Sequence, residues 1–214
     1  MKRVPLVPTI VVAIAVAMML WLGVWQIQRL HWKEALLARY AANEHLPEIA
    51  LPIGRSDDSV LFRKASAFCL RPVSWSSEAG RNAAGTVGWR QIAHCATGAE
   101  GPGFAVQLGI SPDPDAHPAW RGGKVSGFIS HAPDHRPLIE IAVGGGAPSA
   151  LMLVADTPAP GLEANAGPDL SAIPNNHFAY AIQWFLFAAV AVVIYGLALR
   201  RRWRGPLVSP RSRG

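Results

Sequence analysis

Two charge-free apolar stretches, one near each end of a 214-residue chain, and a run of short β-type segments between them predict a membrane α+β fold. In this reading two transmembrane helices flank an antiparallel β-rich extracytoplasmic domain. The expected boundaries are a cytoplasmic N-terminus at 1–5, a first transmembrane helix at 6–28 and the β-rich domain with an interfacial helix and a return loop at 29–177. A second transmembrane helix at 178–199 and a basic cytoplasmic tail at 200–214 complete the chain.

The first span rests on the absence of any charge from Val4 to Gln28, where TIVVAIAVAMMLWLGVW matches the roughly 20 apolar residues that cross a hydrocarbon core. A cleaved signal peptide would share the basic start Met1-Lys2-Arg3, but the apolar run is too long for one. Bulky Trp25-Gln26-Ile27 also stands where a small-residue cleavage site belongs. Leu170 to Leu199 is again free of Asp, Glu, Lys and Arg, and AIQWFLFAAVAVVIYGLAL from Ala181 is long enough to span on its own. Arg200-Arg201-Arg202 and Arg204, with Arg211 and Arg213 beyond, form the densest basic cluster and set the cytoplasmic side. Arg29, Lys33 and Arg39 oppose that orientation from the far end of the first helix but are sparser. The basic pI is explained by this tail, with no nucleic-acid partner required.

Beyond the first span, WKEALLARY from Trp32 to Tyr40 continues the helix into the interface until Pro47 and Pro52 break the pattern. Short segments with β-branched or aromatic residues then follow at 62–73, 88–97, 104–110, 122–130, 138–143 and 151–155, bounded by turn formers. They suggest an antiparallel sheet or a small barrel. TPAPGLEANAGPDLSAIP from Thr157 to Pro174 has no periodicity and reads as the loop back to the membrane. Gly144-Gly145-Gly146 lacks the strand-to-helix context of a phosphate site and reads as a flexible turn.

The extracytoplasmic segment holds both cysteines, Cys69 and Cys95, in a compartment that permits oxidation. They lie symmetrically about Asn82, so a hairpin of the first two strands could bring them together as a disulfide; two small buried hydrophobes are the alternative. They lack the CxxC spacing of a metal carrier. His131 and His135 are four apart, but Pro133 between them argues against one helical face, while His31, His45, His94 and His117 are isolated. No Ser, His and Asp stand in a mechanistic motif, so the chain reads as a non-enzyme.

The distinctive residues sit at the two membrane junctions. The second helix opens with Asn175-Asn176-His177, and helical spacing places His177, Tyr180, Ala181 and Trp184 on one face. The first helix carries Trp25, Gln26 and Arg29 toward the same membrane surface. An aromatic belt explains the Trp and Tyr residues and snorkelling explains Arg29. Neither explains Gln26, Asn175, Asn176 and His177, whose polar groups at this depth need partners or a function.

LGVWQIQRLHWKEALL at the first junction, NNHFAYAIQWFLFA at the second and a β-rich domain between them resemble the Surf1 (Shy1) family of cytochrome c oxidase assembly proteins. The resemblance covers the whole chain in order and spacing. It implies a non-enzymatic factor that assists haem a insertion into subunit I of the oxidase, with haem a as cofactor. It also implies His177 as the haem-iron ligand and, as partners, subunit I, haem a synthase and membrane lipid. Tyr180, Trp184 and Trp25 would then contact the macrocycle, held between the two helices. Gln26, Arg29, Asn175 and Asn176 would serve helix or partner contacts. A cofactor-free scaffold for apo-subunit I, with Trp25, Gln26 and Arg29 docking against Asn176 or Tyr180, is the alternative. An outward-facing sensor ranks last, since the tail from Arg200 to Gly214 has no room for a signalling domain. The sequence departs from the family where members carry Arg-Gly-Trp followed by Pro, having Gln107-Leu108-Gly109-Ile110-Ser111-Pro112 instead. The cysteine pair is likewise no part of the family motif.

Overall fold

The computed structural model describes residues 4–99, 101–116, 118–134 and 149–204. The expected strand at 138–143, the glycine run at 144–146, His117, His135 and the basic residues beyond Arg204 lie outside the described residues. The chain divides into two compact units, Met1–Ala35 with Pro174–Gly214, and Leu36–Ile173.

The first unit contains two helices long and apolar enough to cross a membrane, α1 (Leu6–Asn43) and α2 (His177–Arg204). Most of their apolar side chains are exposed, as lipid-facing surface requires. The less exposed positions repeat every three or four residues, as Thr9, Val12, Val16, Met19, Gly23 and Gln26 on α1. On α2 the matching stripe is His177, Ala181, Trp184, Ala188, Ala191 and Tyr195. Gln26 meets His177 and Thr9 meets Tyr195, so the helices run antiparallel with their stripes face to face. Small residues let them approach closely: Ala181 and Ala188 are buried, and a Cβ at Gly23 would lie 2.5 Å from the Phe185 ring.

The second unit begins in the last turns of α1, whose Tyr40 and Asn43 are buried. Among the described residues its sheet has seven strands: β1 (Ile49–Ala50), β2 (Lys64–Cys69), β3 (Arg71–Arg81), β4 (Val87–Ala96), β5 (Phe104–Ser111), β6 (Gly123–His131) and β7 (Leu151–Ala155). Their order is β1-β2-β6-β7-β5-β4-β3. The expected purely antiparallel sheet is corrected here, because β1 pairs with β2 and β5 with β7 in parallel. The cause is topological: β7 is antiparallel to β6 and inserts between it and β5. A strand inserted into a splayed antiparallel pair must run parallel to one of its neighbours.

The segment expected as one strand at 62–73 is also divided. β2 pairs with β6 and β3 pairs with β4, and Leu70 alone separates them, its amide donating to the Ala96 carbonyl at 2.9 Å. Strands near opposite ends of the sheet order are thus consecutive in the chain, so the sheet curls toward a barrel. Its inner face packs Ala65, Cys69, Ala93, Val106, Ile129 and Leu153, each no more than 1% exposed. Every residue of β7 is buried, in keeping with its central place.

Two devices fix the ends of this unit. Asn43 Nδ2 donates to the carbonyls of Ser59 (2.7 Å) and Leu61 (2.9 Å), and the Tyr40 ring lies 5.2 Å from that of Phe62, which has a positive φ of 64°. The return segment expected as a loop lies along β5. Ile110 and Glu163 exchange backbone hydrogen bonds (3.0 and 2.8 Å), and the Asn165 amide reaches the carbonyls of Gln107 and Ala155. Gly109, within the sequence that departs from the family, permits this approach: a Cβ there would stand 2.8 Å from the Glu163 carbonyl oxygen.

Candidate functional site

At the junction between the return segment and α2, the Tyr180 amide donates to the Asn176 carbonyl (3.2 Å), so the helix starts immediately after the two asparagines. This places His177 in the first turn, on the stripe that faces α1. Its Nδ1 lies 2.7 Å from Gln26 Oε1 in a partly buried contact. With the amide oxygen accepting, the imidazole proton sits on Nδ1 and the lone pair is left on Nε2. Nε2 has no hydrogen-bond partner among the described residues.

Trp184 follows on the same stripe and stacks edge-on against Phe187 at 6.2 Å. Tyr180, placed by helical spacing on that face, is 51% exposed and turns outward; Trp25, at 44%, does the same on α1. Arg29 lies over the Trp32 ring of its own helix at 4.0 Å, an intrahelical cation–π contact. Gln26 meets His177 rather than the expected Asn176 or Tyr180. Asn175 Oδ1 is cut off from solvent and has no hydrogen-bond partner among the described residues, an uncommon state for a buried amide oxygen.

The residues fit a haem group in one respect and limit it in another. A partly buried imidazole with Nδ1 engaged and Nε2 unengaged would be the group to hold a haem iron. Between the helices, however, the seam is closed at Gly23, Ala181 and Ala188, with no room for a macrocycle at those positions. Among the described residues no three His, Cys, Asp or Glu side chains group as metal ligands. His131 instead pairs through Nε2 with Asp58 at 2.8 Å, and His94 Nε2 lies 3.1 Å from Ser76 Oγ.

Cys69 and Cys95 are joined as a disulfide with a Cα separation of 5.2 Å, so neither thiol is available to a metal. They do not face each other across a hairpin. Cys69 ends β2, whereas Cys95 on β4 stands opposite Pro72 of β3, so the bond ties β2, which pairs with β6, to β4 beside the β2-to-β3 junction. The Thr9–Tyr195 hydrogen bond was not anticipated from the residues. The signal for it is the antiparallel register: a pairing that sets Gln26 opposite His177 brings Thr9 near Tyr195.

The model of the SURF1 family matches residues 13–189, spanning both junctions and the whole β unit. Comparison with characterised proteins gave no match.

Proposed function

Because the chain belongs to the SURF1 family, whose members are cytochrome c oxidase assembly factors, we propose that it assists haem a insertion into subunit I of the oxidase. The single observation that carries the proposal is the bond from His177 Nδ1 to Gln26 Oε1, which orients the imidazole and keeps Nε2 for a ligand. When bound, haem a would supply the iron that this nitrogen coordinates. The chain's own contribution is to fix the ring's tautomer and angle through Gln26, with Tyr180 and Trp184 on the adjoining surface. On this reading the chain sits in the cell inner membrane, with the β unit in the periplasm and the Arg200–Arg204 cluster in the cytoplasm.

A cofactor-free scaffold for apo-subunit I is the second reading. The closed seam favours it, because the outward aromatic side chains Trp25 and Tyr180 suit contact with a partner helix.

The two readings separate in protein purified from cells that make haem a. Under the haem reading His177→Ala inserts normally but loses or shifts the Soret band, whereas His131→Ala leaves it unchanged. Gln26→Leu, which removes the orienting acceptor, lowers haem affinity by about ten- to a hundredfold. Wild-type haem content and Soret position in His177→Ala would refute the ligand assignment and leave the scaffold.

A further inference from the structure

The outer face of the sheet carries a feature independent of the helix pair. Ile92, Phe128, Met152 and Val154 form a second buried apolar cluster there. Phe128, Met152 and Val154 also line a cavity of about 400 Å³, closed on one side by residues 166–169 of the return segment. A cavity of this size lies within the range that takes a small organic ligand.

The charged residues lining its polar side, among those described, are Arg81, Arg90 and Asp169, and Glu78 stands opposite Arg90 in the β3–β4 register. Two of the three are engaged locally: Arg81 donates to the Gly85 carbonyl at 2.7 Å, and Asp169 accepts from the Ser171 amide at 2.9 Å. Arg90 differs. Its stem lies across Gly80 of the neighbouring strand, where a Cβ would come within 2.6 Å of Arg90 Cγ, so the glycine is the seat of this side chain. Its Nε is shielded from solvent and has no hydrogen-bond partner among the described residues. A guanidinium stays ionised in any protein environment, so a shielded N–H on it calls for an acceptor.

We propose that this cavity binds a small amphipathic carboxylate, whose charged end pairs with Arg90 and whose apolar part lies on Phe128, Met152 and Val154. The guanidinium fork matches a carboxylate geometrically. The apolar wall excludes a simple inorganic anion as the best occupant, because such an anion would leave that surface unfilled.

The test uses the full chain in lipid nanodiscs and a trifluoromethyl-phenylacetate as probe, titrated by fluorine NMR against empty nanodiscs. Saturable binding is expected, weaker by about tenfold or more for the methyl ester and for Arg90→Gln, which lose a charge-assisted hydrogen bond. Resistance to proteolysis checks that Arg90→Gln is folded; if it is not, Gly80→Ala, which displaces the Arg90 stem, is read by the same criterion. The proposal fails if the probe does not saturate, if the ester binds equally, or if the folded variant retains wild-type affinity. Inorganic phosphate displacing the probe as well as unlabelled phenylacetate does would also overturn it, by showing a site for anions at large.

Discussion

Removing the disulfide should destabilise the β unit by an amount set mainly by the loop it closes. Cys69 and Cys95 are 26 residues apart, and in the chain-entropy account a loop of that length restricts the unfolded ensemble by about 3.5 kcal/mol. Both side chains are buried, so replacing them with alanine adds a small packing loss to the same sign. The assay is pulse proteolysis of the full chain in nanodiscs across a urea series, comparing wild type, each single Cys→Ala variant and the double variant. With a urea dependence of about 2 kcal/mol per molar, the midpoint should fall by roughly 2 M. The single variants should fall as far as the double, since either one removes the bond. Denatured, unreduced wild-type protein should also resist maleimide labelling and react after reduction. A midpoint change under about 0.5 M, equivalent to about 1 kcal/mol, would refute the reasoning, as would maleimide labelling of both cysteines without reductant.

Three further predictions concern the membrane frame and its attachment. Alkaline phosphatase fused after Ala155 should be active and fused after Arg204 inactive, and the reverse pattern would overturn the orientation. Asn43→Ala should lower stability by about 1–3 kcal/mol, because the carbonyls of Ser59 and Leu61 both lose their donor; an unchanged urea midpoint would show that water replaces it. Cysteines placed at Thr9 and Tyr195 should be joined within one chain by a short bifunctional thiol reagent. Partners at Thr9 and Ile194 should be joined far less, since Ile194 is 62% exposed and points about 100° around α2 from Tyr195; equal yields would contradict the helix register.

What could be read from the residues depended on whether the signal was local. The two helices were legible because a charge-free run of the right length is a property of one segment. Most of β4 to β7 was legible for the same reason, since β-branched and aromatic residues mark each strand between turn formers. β3 was not: beyond Val73 its residues SWSSEAGR are mostly small or polar. Their strand conformation comes from pairing with β4 across a turn in which Asn82 Oδ1 accepts from the amides of Ala84 and Thr86. The parallel contacts of β7 were hidden because strand order is a non-local choice that alternation cannot encode. The site shows the same division. Gln26 and His177 each stood out as a polar residue in an apolar setting, but either had several plausible partners until the helices were docked. The disulfide is one of two readings that the cysteines leave open, and a hairpin is not its route, since both neighbour the β2-to-β3 junction and do not oppose each other on a hairpin.

The two polar contacts between α1 and α2 have a mechanical consequence. Gln26 and Thr9 are separated by about 25 Å along α1, at the helical rise per residue. Sliding one rod past the other by a single turn, about 5.4 Å, would break both contacts together and leave Gln26, His177 and Tyr195 without these partners, while Thr9 keeps its bond to the Pro5 carbonyl. Intermediate displacements gain nothing, because neither contact can be exchanged for another while its counterpart stays made. The pair therefore has one seating with a steep wall on either side, like a bolt caught at both ends. An axial pull on α2 would meet almost no give until both catches released at once.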